Sequence, residues 1–139
     1  MYWKIFKPKT FGSKAILLFE GNILLVKNIN VGQWSLPGGK IEKNESPREC
    51  ILRELNEELE ITKCDVSYKL GEYISEKEGK KDTVYVFIIK LTSYDFKKGW
   101  EMEDAKWFSF DSLPTEISSA TLRRVLEYKN NKKTFKDNW

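Results

Sequence analysis

The chain has 139 residues, of which 40% are hydrophobic and 32% are charged, and its formal net charge at pH 7 is +3. This length and apolar content predict a single domain, residues 1–139, with one hydrophobic core. The chain contains no histidine, which excludes catalysis by Ser–His or Cys–His pairs and leaves carboxylates, lysines, tyrosines and metal ions as the available chemistry.

Two β-strands are predicted near the start of the chain. Ser13–Phe19 and Ile23–Lys27 are apolar runs, and the tripeptide EGN between them suits a hairpin turn because glycine and asparagine tolerate positive φ. The following segment, 28–40, is rich in asparagine, glycine and proline and is predicted to be a loop.

A helix is predicted to begin at Ser46. Serine is a favoured N-cap, Pro47 stands at the first helical position, and Glu49 follows the serine by three residues, where it can complete a capping box. Helical periodicity continues to Leu59, and the apolar side of this helix is formed by Ile51, Leu52, Leu55 and Leu59.

The second half of the chain is predicted to contain three strands and a final helix. Val66–Ser75 and Thr83–Thr92 should pair through a charged turn, and the second should be central because its middle is apolar on both faces. Trp107–Phe110 is a short predicted strand. Ser118 can cap a helix that presents Leu122, Val125 and Leu126 at spacings of three and four. The lysine-rich residues 129–139 suggest a solvated, frayed end.

The expected location is the cytoplasm, with no membrane partner. The longest apolar runs are much shorter than the roughly 20 residues that span a bilayer, and the first residues, MYWKIFKPK, lack the apolar segment of a secretion signal. Cys50 and Cys64 do not have a metal-binding spacing, so we expect free thiols in a reducing compartment.

Three glutamates, Glu54, Glu57 and Glu58, form an acidic stripe on the predicted helix. Carboxylates three and four residues apart repel one another, and each pair costs some tenths of a kcal/mol. Two interpretations compete. The stripe is either a solvated acidic face, relieved by Arg53 and nearby lysines, or a site for a hard cation such as Mg²⁺ or Mn²⁺.

The segment just before the helix, LPGGK, favours the cation site. Gly38 and Gly39 let the backbone approach a ligand closely, and Lys40 supplies a positive charge, a combination that suggests phosphate. The segment is not a P-loop, because the glycine spacing of that motif is missing.

From Gly39 to Ile61 the chain resembles the Nudix box, the signature of the Nudix hydrolases. Five residues separate Gly39 from Glu45, and seven more separate Glu45 from the run RELNEELEI, which begins at Arg53. Trp34–Gly38 and 107–114 also resemble members of this family. The resemblance implies an α/β fold, in which a mixed β-sheet is sandwiched between the Ser46 helix and the C-terminal helix.

One position departs from the family pattern: Glu60 stands where the family usually has glycine. The residue after a helix end often has positive φ, where a non-glycine residue costs roughly 1 kcal/mol. We therefore expect either a slightly longer helix or a strained turn at this position. Because this residue supplies no ligand in the family, the expected chemistry is unchanged.

By the resemblance, five groups would bind the metal ion, which would be Mg²⁺ with Mn²⁺ as the alternative: the Gly38 carbonyl and the side chains of Glu54, Glu57, Glu58 and Glu101. Glu54 could instead take the proton of the attacking water. Glu101 is placed in this set as an acidic residue from the loop before the Trp107 strand, and its alternatives are Glu103 and Asp104.

The resemblance makes Arg53, Glu54 and Glu57 the candidate catalytic residues. Arg53 can reach Glu49 and Glu57, which lie four residues away on either side, and it would hold the glutamates in position. Glu45 would close the loop against the helix.

Four side chains are candidate substrate contacts: Lys27, Trp34, Lys40 and Tyr85. The lysines, together with Lys14, could contact phosphates, and the aromatic rings, together with Phe87, could stack on a base. Core packing is the competing interpretation for the rings, and plain surface charge is the competing interpretation for the lysines.

The resemblance implies metal-dependent hydrolysis of a diphosphate linkage in a nucleoside diphosphate derivative, either a nucleotide sugar such as ADP-ribose or a modified nucleoside triphosphate. Two alternatives stay open: a pyrophosphohydrolase acting on RNA ends, suggested by the basic C-terminus, and a non-catalytic module that senses a nucleotide. The expected partner is a small nucleotide rather than a nucleic acid, and the expected assembly is a monomer or homodimer.

Overall fold

The structure is a computed structural model that describes residues 9–28, 30–77, 79–92, 104–131 and 136–139. In chain order, the strands and helices of these residues are β1 (Lys9–Phe19), β2 (Asn22–Asn28), β3 (Gln33–Ser35), β4 (Gly38–Lys40), α1 (Pro47–Leu59), β5 (Tyr68–Lys77), β6 (Lys80–Lys90), β7 (Ala105–Ser109), α2 (Ser119–Lys129) and β8 (Lys136–Asn138).

These strands form one mixed sheet whose main order is β3-β2-β1-β6-β5-β8. β1 runs parallel to β6 along most of its length and pairs with β2 near the hairpin, at Leu18 and Phe19. The earlier residues 12–14 of β1 pair instead with β4, while β2 pairs with β3 and β7. The sheet therefore opens between β1 and β2, and α1 packs against β1 and β4 beside this opening.

Each face of the sheet carries its own apolar core. On one face, Ala15 and Leu17 of β1 and Phe87 of β6 pack with the buried side of α1. On the other face, Ile16 of β1 and Ile88 of β6 pack with residues that include Val125 of α2. Successive residues of a strand point to opposite faces, so β1 and β6 are buried on both sides. The predicted α/β sandwich and the central position of β6 are confirmed.

The start of α1 is as predicted. The Ser46 side chain accepts a hydrogen bond from the Glu49 N–H at 3.0 Å, and the Glu49 carboxylate accepts one from the Ser46 N–H at 2.9 Å. The buried Ser13 hydroxyl also donates to the Pro47 carbonyl at 2.8 Å. This bond fastens the first turn of the helix to β1.

Of the two expectations for Glu60, a longer helix or a strained turn, the structure shows the strained turn. Glu60 has φ 56° and ψ 29°, in the left-handed region, and its N–H donates to the Asn56 carbonyl at 3.0 Å. The helix therefore stops at Leu59, and a residue with a β-carbon occupies the position that favours glycine.

Replacing Glu60 with glycine is expected to raise the free energy of unfolding by about 1 kcal/mol, because glycine adopts this backbone without steric conflict. For a chain of this size the melting temperature should rise by roughly 3–5 °C, measured by differential scanning calorimetry. Glu60→Ala is the control, since it removes the charge but keeps the β-carbon. An equal rise in both variants would assign the effect to charge and contradict backbone strain.

The predicted loop 28–40 is partly wrong, because it contains β3 and β4. Both strands are three residues long and have no apolar alternation, so they depend on longer neighbours. β3 pairs with β2, and the Trp34 N–H also donates to the Glu116 carbonyl at 2.7 Å. The charged turn predicted at 76–82 does connect two paired strands, but it is shorter than predicted, since β5 continues to Lys77 and β6 starts at Lys80.

The C-terminal part of the chain differs from the prediction in two ways. α2 begins at the Ser118 cap as predicted, but of its three predicted apolar residues only Val125 is buried, whereas Leu122 and Leu126 are 36% and 45% exposed. Arg124 is buried instead, with its guanidinium 3.8 Å from the Tyr73 ring centroid. The prediction of a frayed end is also wrong for residues 136–138, which form β8 beside β5.

No helix in the described ranges is both long and apolar enough to cross a membrane.

Candidate functional site

The candidate site lies where β4 passes over the C-terminal half of α1. Gly38 has φ 144°, and a β-carbon there would stand 2.0 Å from the Ser13 carbonyl oxygen. Only glycine fits this position. At Gly39 a β-carbon would lie 2.5 Å from both Cδ and Oε1 of Glu54. The Glu54 carboxylate therefore packs directly against the backbone of β4.

Glu58 joins Glu54 at this position. Its carboxyl group hydrogen-bonds with the Gly38 N–H and with Glu54. Its Oε1 atom is buried and has no hydrogen-bond partner among the residues that the structure describes. Burial raises the pKa of Glu58 to about 7, and the hydrogen bond and charge of Glu54 add to this rise. Without a cation, the pair therefore tends to retain a proton.

Lys14 brings a positive charge to the same place. Burial lowers the pKa of its ammonium group, while the charges of Glu58 and Glu54 oppose that effect. Lys14 pairs with Gly38 across β1 and β4. The pairing of these two strands thus determines which lysine lies beside the carboxylates.

Arg53 binds several neighbouring groups. Its Nε and Nη2 atoms donate to the two oxygens of Glu45 at 2.6 and 2.9 Å, and Nη1 donates to Glu57 at 2.9 Å and to Glu54 at 3.1 Å. Nη2 also donates to the Lys40 carbonyl at 3.0 Å. These contacts raise the pKa of Arg53, with Glu45 contributing most, and the Arg53 hydrogen bond is the main cause that lowers the pKa of Glu45 to about 2.

This network connects the loop, β4 and the helix, so Arg53 holds Glu54 in a fixed position. The predicted contact with Glu57 is confirmed. The predicted contact with Glu49 is wrong, because that side chain is bound to Ser46. Glu45 closes the loop against the helix as the resemblance implies, through its two bonds to Arg53.

Two of the carboxylates fit a divalent cation. Glu54 and Glu58 supply hard anionic oxygens, one of them buried without a partner in the described ranges, which suits Mg²⁺ or Mn²⁺. Among the same residues no three acidic or cysteine side chains converge on one point. The reason is that Glu57, whose side chain is 56% exposed, bonds to Arg53. A place for Glu57 and for the Gly38 carbonyl among the ligands stays a prediction.

The predicted ligand from the loop before β7 is in a part of the chain that is only partly described. Glu101 and its alternative Glu103 lie outside the described residues, whereas Asp104 immediately precedes β7.

The candidate substrate contacts are in different places. Lys40 is exposed and lines, with Lys14 and Gly39, a cavity of about 390 Å³. Tyr85 lines a second cavity of about 390 Å³ beside Glu45. Trp34 is only 7% exposed and belongs to the core, so the packing interpretation fits it better, and Lys27 lies over its ring at 5.9 Å. Phe87, also considered for stacking, is a core residue.

Known proteins resemble this chain along most of its length. Residues 10–128 match the NUDIX domain. The chain is 32% identical over 123 residues to a putative 8-oxo-dGTP diphosphatase of Bacillus subtilis, covering 87% of this chain and 80% of that protein. It is 32% identical over 105 residues to an ADP-ribose pyrophosphatase of Methanocaldococcus jannaschii, covering 72% of this chain and 62% of that protein.

Two further comparisons extend this similarity. An RNA pyrophosphohydrolase of Nitratiruptor is 32% identical over 113 residues, covering 68% of this chain and 72% of that protein. The crystal structure of the MutT protein from Methanosarcina mazei Go1 superimposes with a TM-score of 0.70 at 30% identity, covering 91% of this chain and 98% of that one.

Proposed function

Because the chain belongs to the Nudix hydrolase family, we propose that it hydrolyses a diphosphate linkage in a nucleoside diphosphate derivative with Mg²⁺ as its cofactor. Members of this family generally use a divalent metal. The observation that carries the proposal is the meeting of Glu54 and Glu58 against the Gly38–Gly39 backbone, next to Lys14.

Each group has a distinct role in this proposal. Glu54 and Glu58 would hold the cation, with Glu57 as a further ligand, and Glu54 is also the candidate to accept the proton of the attacking water. A bound Mg²⁺ ion would offset phosphate charge and lower the pKa of a bound water. Arg53 keeps Glu54 in place through the contacts described above. Lys40 would contact phosphate oxygens at the mouth of the site.

The proposed substrate is a modified nucleoside triphosphate or a nucleotide sugar such as ADP-ribose. The names of the B. subtilis and M. jannaschii relatives support these two classes. The test is a screen of nucleoside di- and triphosphate derivatives with Mg²⁺, with the products identified by mass spectrometry after reaction in ¹⁸O-labelled water. Hydrolysis of one class at a diphosphate linkage is expected. Absence of turnover across the whole screen would overturn the proposal.

A second candidate function is hydrolysis of pyrophosphate at an RNA end, supported by the Nitratiruptor relative and by the lysines after α2. RNA binding releases counterions from phosphates, so its affinity should fall steeply as salt increases, whereas a small nucleotide should show a shallow dependence. A purely nucleotide-sensing module, the third alternative, would bind nucleotides and release no product.

Magnesium is expected to stabilise the fold, since it relieves repulsion between Glu54 and Glu58. A Mg²⁺ concentration 100-fold above the dissociation constant adds about 2.7 kcal/mol to the free energy of unfolding. For this chain length, the melting temperature should then rise by roughly 5–10 °C. Calorimetry with and without MgCl₂ measures the shift, and NaCl at matched ionic strength is the control. An equal shift with NaCl would contradict a specific cation site.

Assembly and location are proposed on chemical grounds. Cys50 is buried and Cys64 is partly buried, and neither forms a disulfide within the described part of the chain, which fits the reducing cytoplasm. A monomer or homodimer acting on a small nucleotide is the proposed working form. That residues 1–139 form a single domain stays a prediction.

A further inference from the structure

The cavity beside Gly39 lies on the α2 side of the sheet and is called here the α2-side cavity. It is lined by Thr10, Phe11, Gly12, Lys14, Gly39, Lys40, Asp82, Thr83, Val84 and Trp139. Lys14 is two residues from Ile16 and Asp82 is four residues from Val86, so their side chains point to the same face of the sheet as these two residues of the α2-side core. Its volume of about 390 Å³ is in the range of small-molecule sites.

The cavity has two chemically different ends. Lys14 pairs with Val86 and Thr10 pairs with Asp82 across β1 and β6. Lys14 and Asp82 are therefore four residues apart along the strands, a distance on the order of 13 Å. Trp139 lies at the Asp82 end, because its N–H donates to the Ile74 carbonyl next to the Ser75–Asp82 pair.

The Lys14 end is the catalytic end. The two lysines, Lys14 and Lys40, line it together with Gly39, whose backbone packs against Glu54. Phosphate oxygens placed here would meet two positive charges, one of which, Lys14, interacts electrostatically with Glu54 and Glu58. A nucleotide with its diphosphate at this end would extend along β1 toward Asp82.

The Asp82 end offers a carboxylate and an indole ring. Asp82 is exposed and has no ion-pair partner among the described residues. An ionised carboxylate only accepts hydrogen bonds, and it can accept two side by side. Among the common bases, guanine alone presents two adjacent N–H donors on one edge. Adenine and cytosine place one amino group beside an acceptor, and uracil has one N–H between two carbonyls.

We propose that the α2-side cavity binds the nucleoside half of the substrate, with a guanine base held by Asp82 and packed on Trp139 and with the phosphates at Lys14 and Lys40. The inference rests on the proposed function and deepens it by assigning a base preference. Asp82 is a specificity residue here and has no part in bond cleavage.

The test compares Asp82→Asn with the wild type on guanosine, adenosine, cytidine and uridine diphosphate derivatives of the same class. Asparagine keeps the size but replaces one acceptor oxygen by a donor. The KM for the guanosine substrate should rise about tenfold, with kcat changed less than about twofold. Asp111→Asn is the matched control, since that carboxylate is 90% exposed in the turn after β7, and it should leave every KM unchanged.

Binding is measured separately by calorimetry with methylene-bridged analogues that cannot be hydrolysed. Wild-type protein should bind the guanosine analogue at least about tenfold more tightly than the uridine analogue, and Asp82→Asn should abolish this difference. Equal affinity for all four bases, or a preference for guanine that survives in Asp82→Asn, would overturn the inference. If the wild-type protein hydrolysed none of the four substrates, the proposed function would be overturned instead. The two failures are therefore distinguishable.

Discussion

Replacing Glu58 with glutamine is expected to lower kcat by about two to three orders of magnitude at saturating Mg²⁺ and substrate. The amide keeps the shape of the side chain but removes the negative charge that Glu58 would bring to a cation beside Glu54. The metal-free protein should be at least as stable as the wild type, because the buried charge is gone. Steady-state kinetics and calorimetry on the same preparation measure both effects.

Glu60→Gln is the matched control for Glu58→Gln. It makes the same chemical change two residues away, on an exposed side chain just beyond the helix. It should retain turnover and the stabilisation by Mg²⁺, whereas Glu58→Gln should lose both. If Glu58→Gln kept near-normal kcat, Glu58 would have no place in the chemistry.

Replacing Gly39 with alanine is expected to reduce kcat by about 100-fold while the fold persists. The added methyl group would stand 2.5 Å from the Glu54 carboxyl carbon, so the end of that flexible side chain must move away. A displacement of about 1 Å at a catalytic group can lower the rate by about this factor. Kinetics together with a thermal melt will separate the displaced carboxylate from loss of the fold.

Gly38→Ala is the informative comparison for Gly39→Ala. Its β-carbon would stand 2.0 Å from the Ser13 carbonyl oxygen and 2.8 Å from the Lys14 Cα, both of which belong to the backbone of β1. This variant should therefore lose stability as well as activity. Full activity in Gly39→Ala would show that Glu54 does not need its position against β4.

The strongest predictions from the sequence are those that depend on neighbouring residues. The capping box at Ser46 and the first hairpin are determined by residues within a few positions of one another, and both are present as expected. The Nudix box likewise predicts a site at Arg53, Glu54, Glu57 and Glu58 from the order of residue types along the chain, and the structure places Glu54 and Glu58 together. The Arg53–Glu57 contact follows from helical spacing alone, and the structure shows it at 2.9 Å.

Strands whose stability comes from distant partners were not predictable from their own residues. β4 has only the sequence GGK and exists because it pairs with β1, and β8 exists because it pairs with β5. The partial burial of α2 has a similar cause. The guanidinium of Arg124 packs on the ring of Tyr73 from β5. The periodicity of apolar residues within the helix does not indicate that an arginine is buried there.

By itself, the sequence determined the helix that carries the acidic side chains and the family to which the chain belongs. Only the tertiary structure decided that Glu54 and Glu58 lie against the Gly38–Gly39 backbone, and that Lys14 joins the pair. The physical reason is that helical spacing orders side chains along one element, whereas contacts between elements depend on strand register. Here the pairing of Lys14 with Gly38 sets that register.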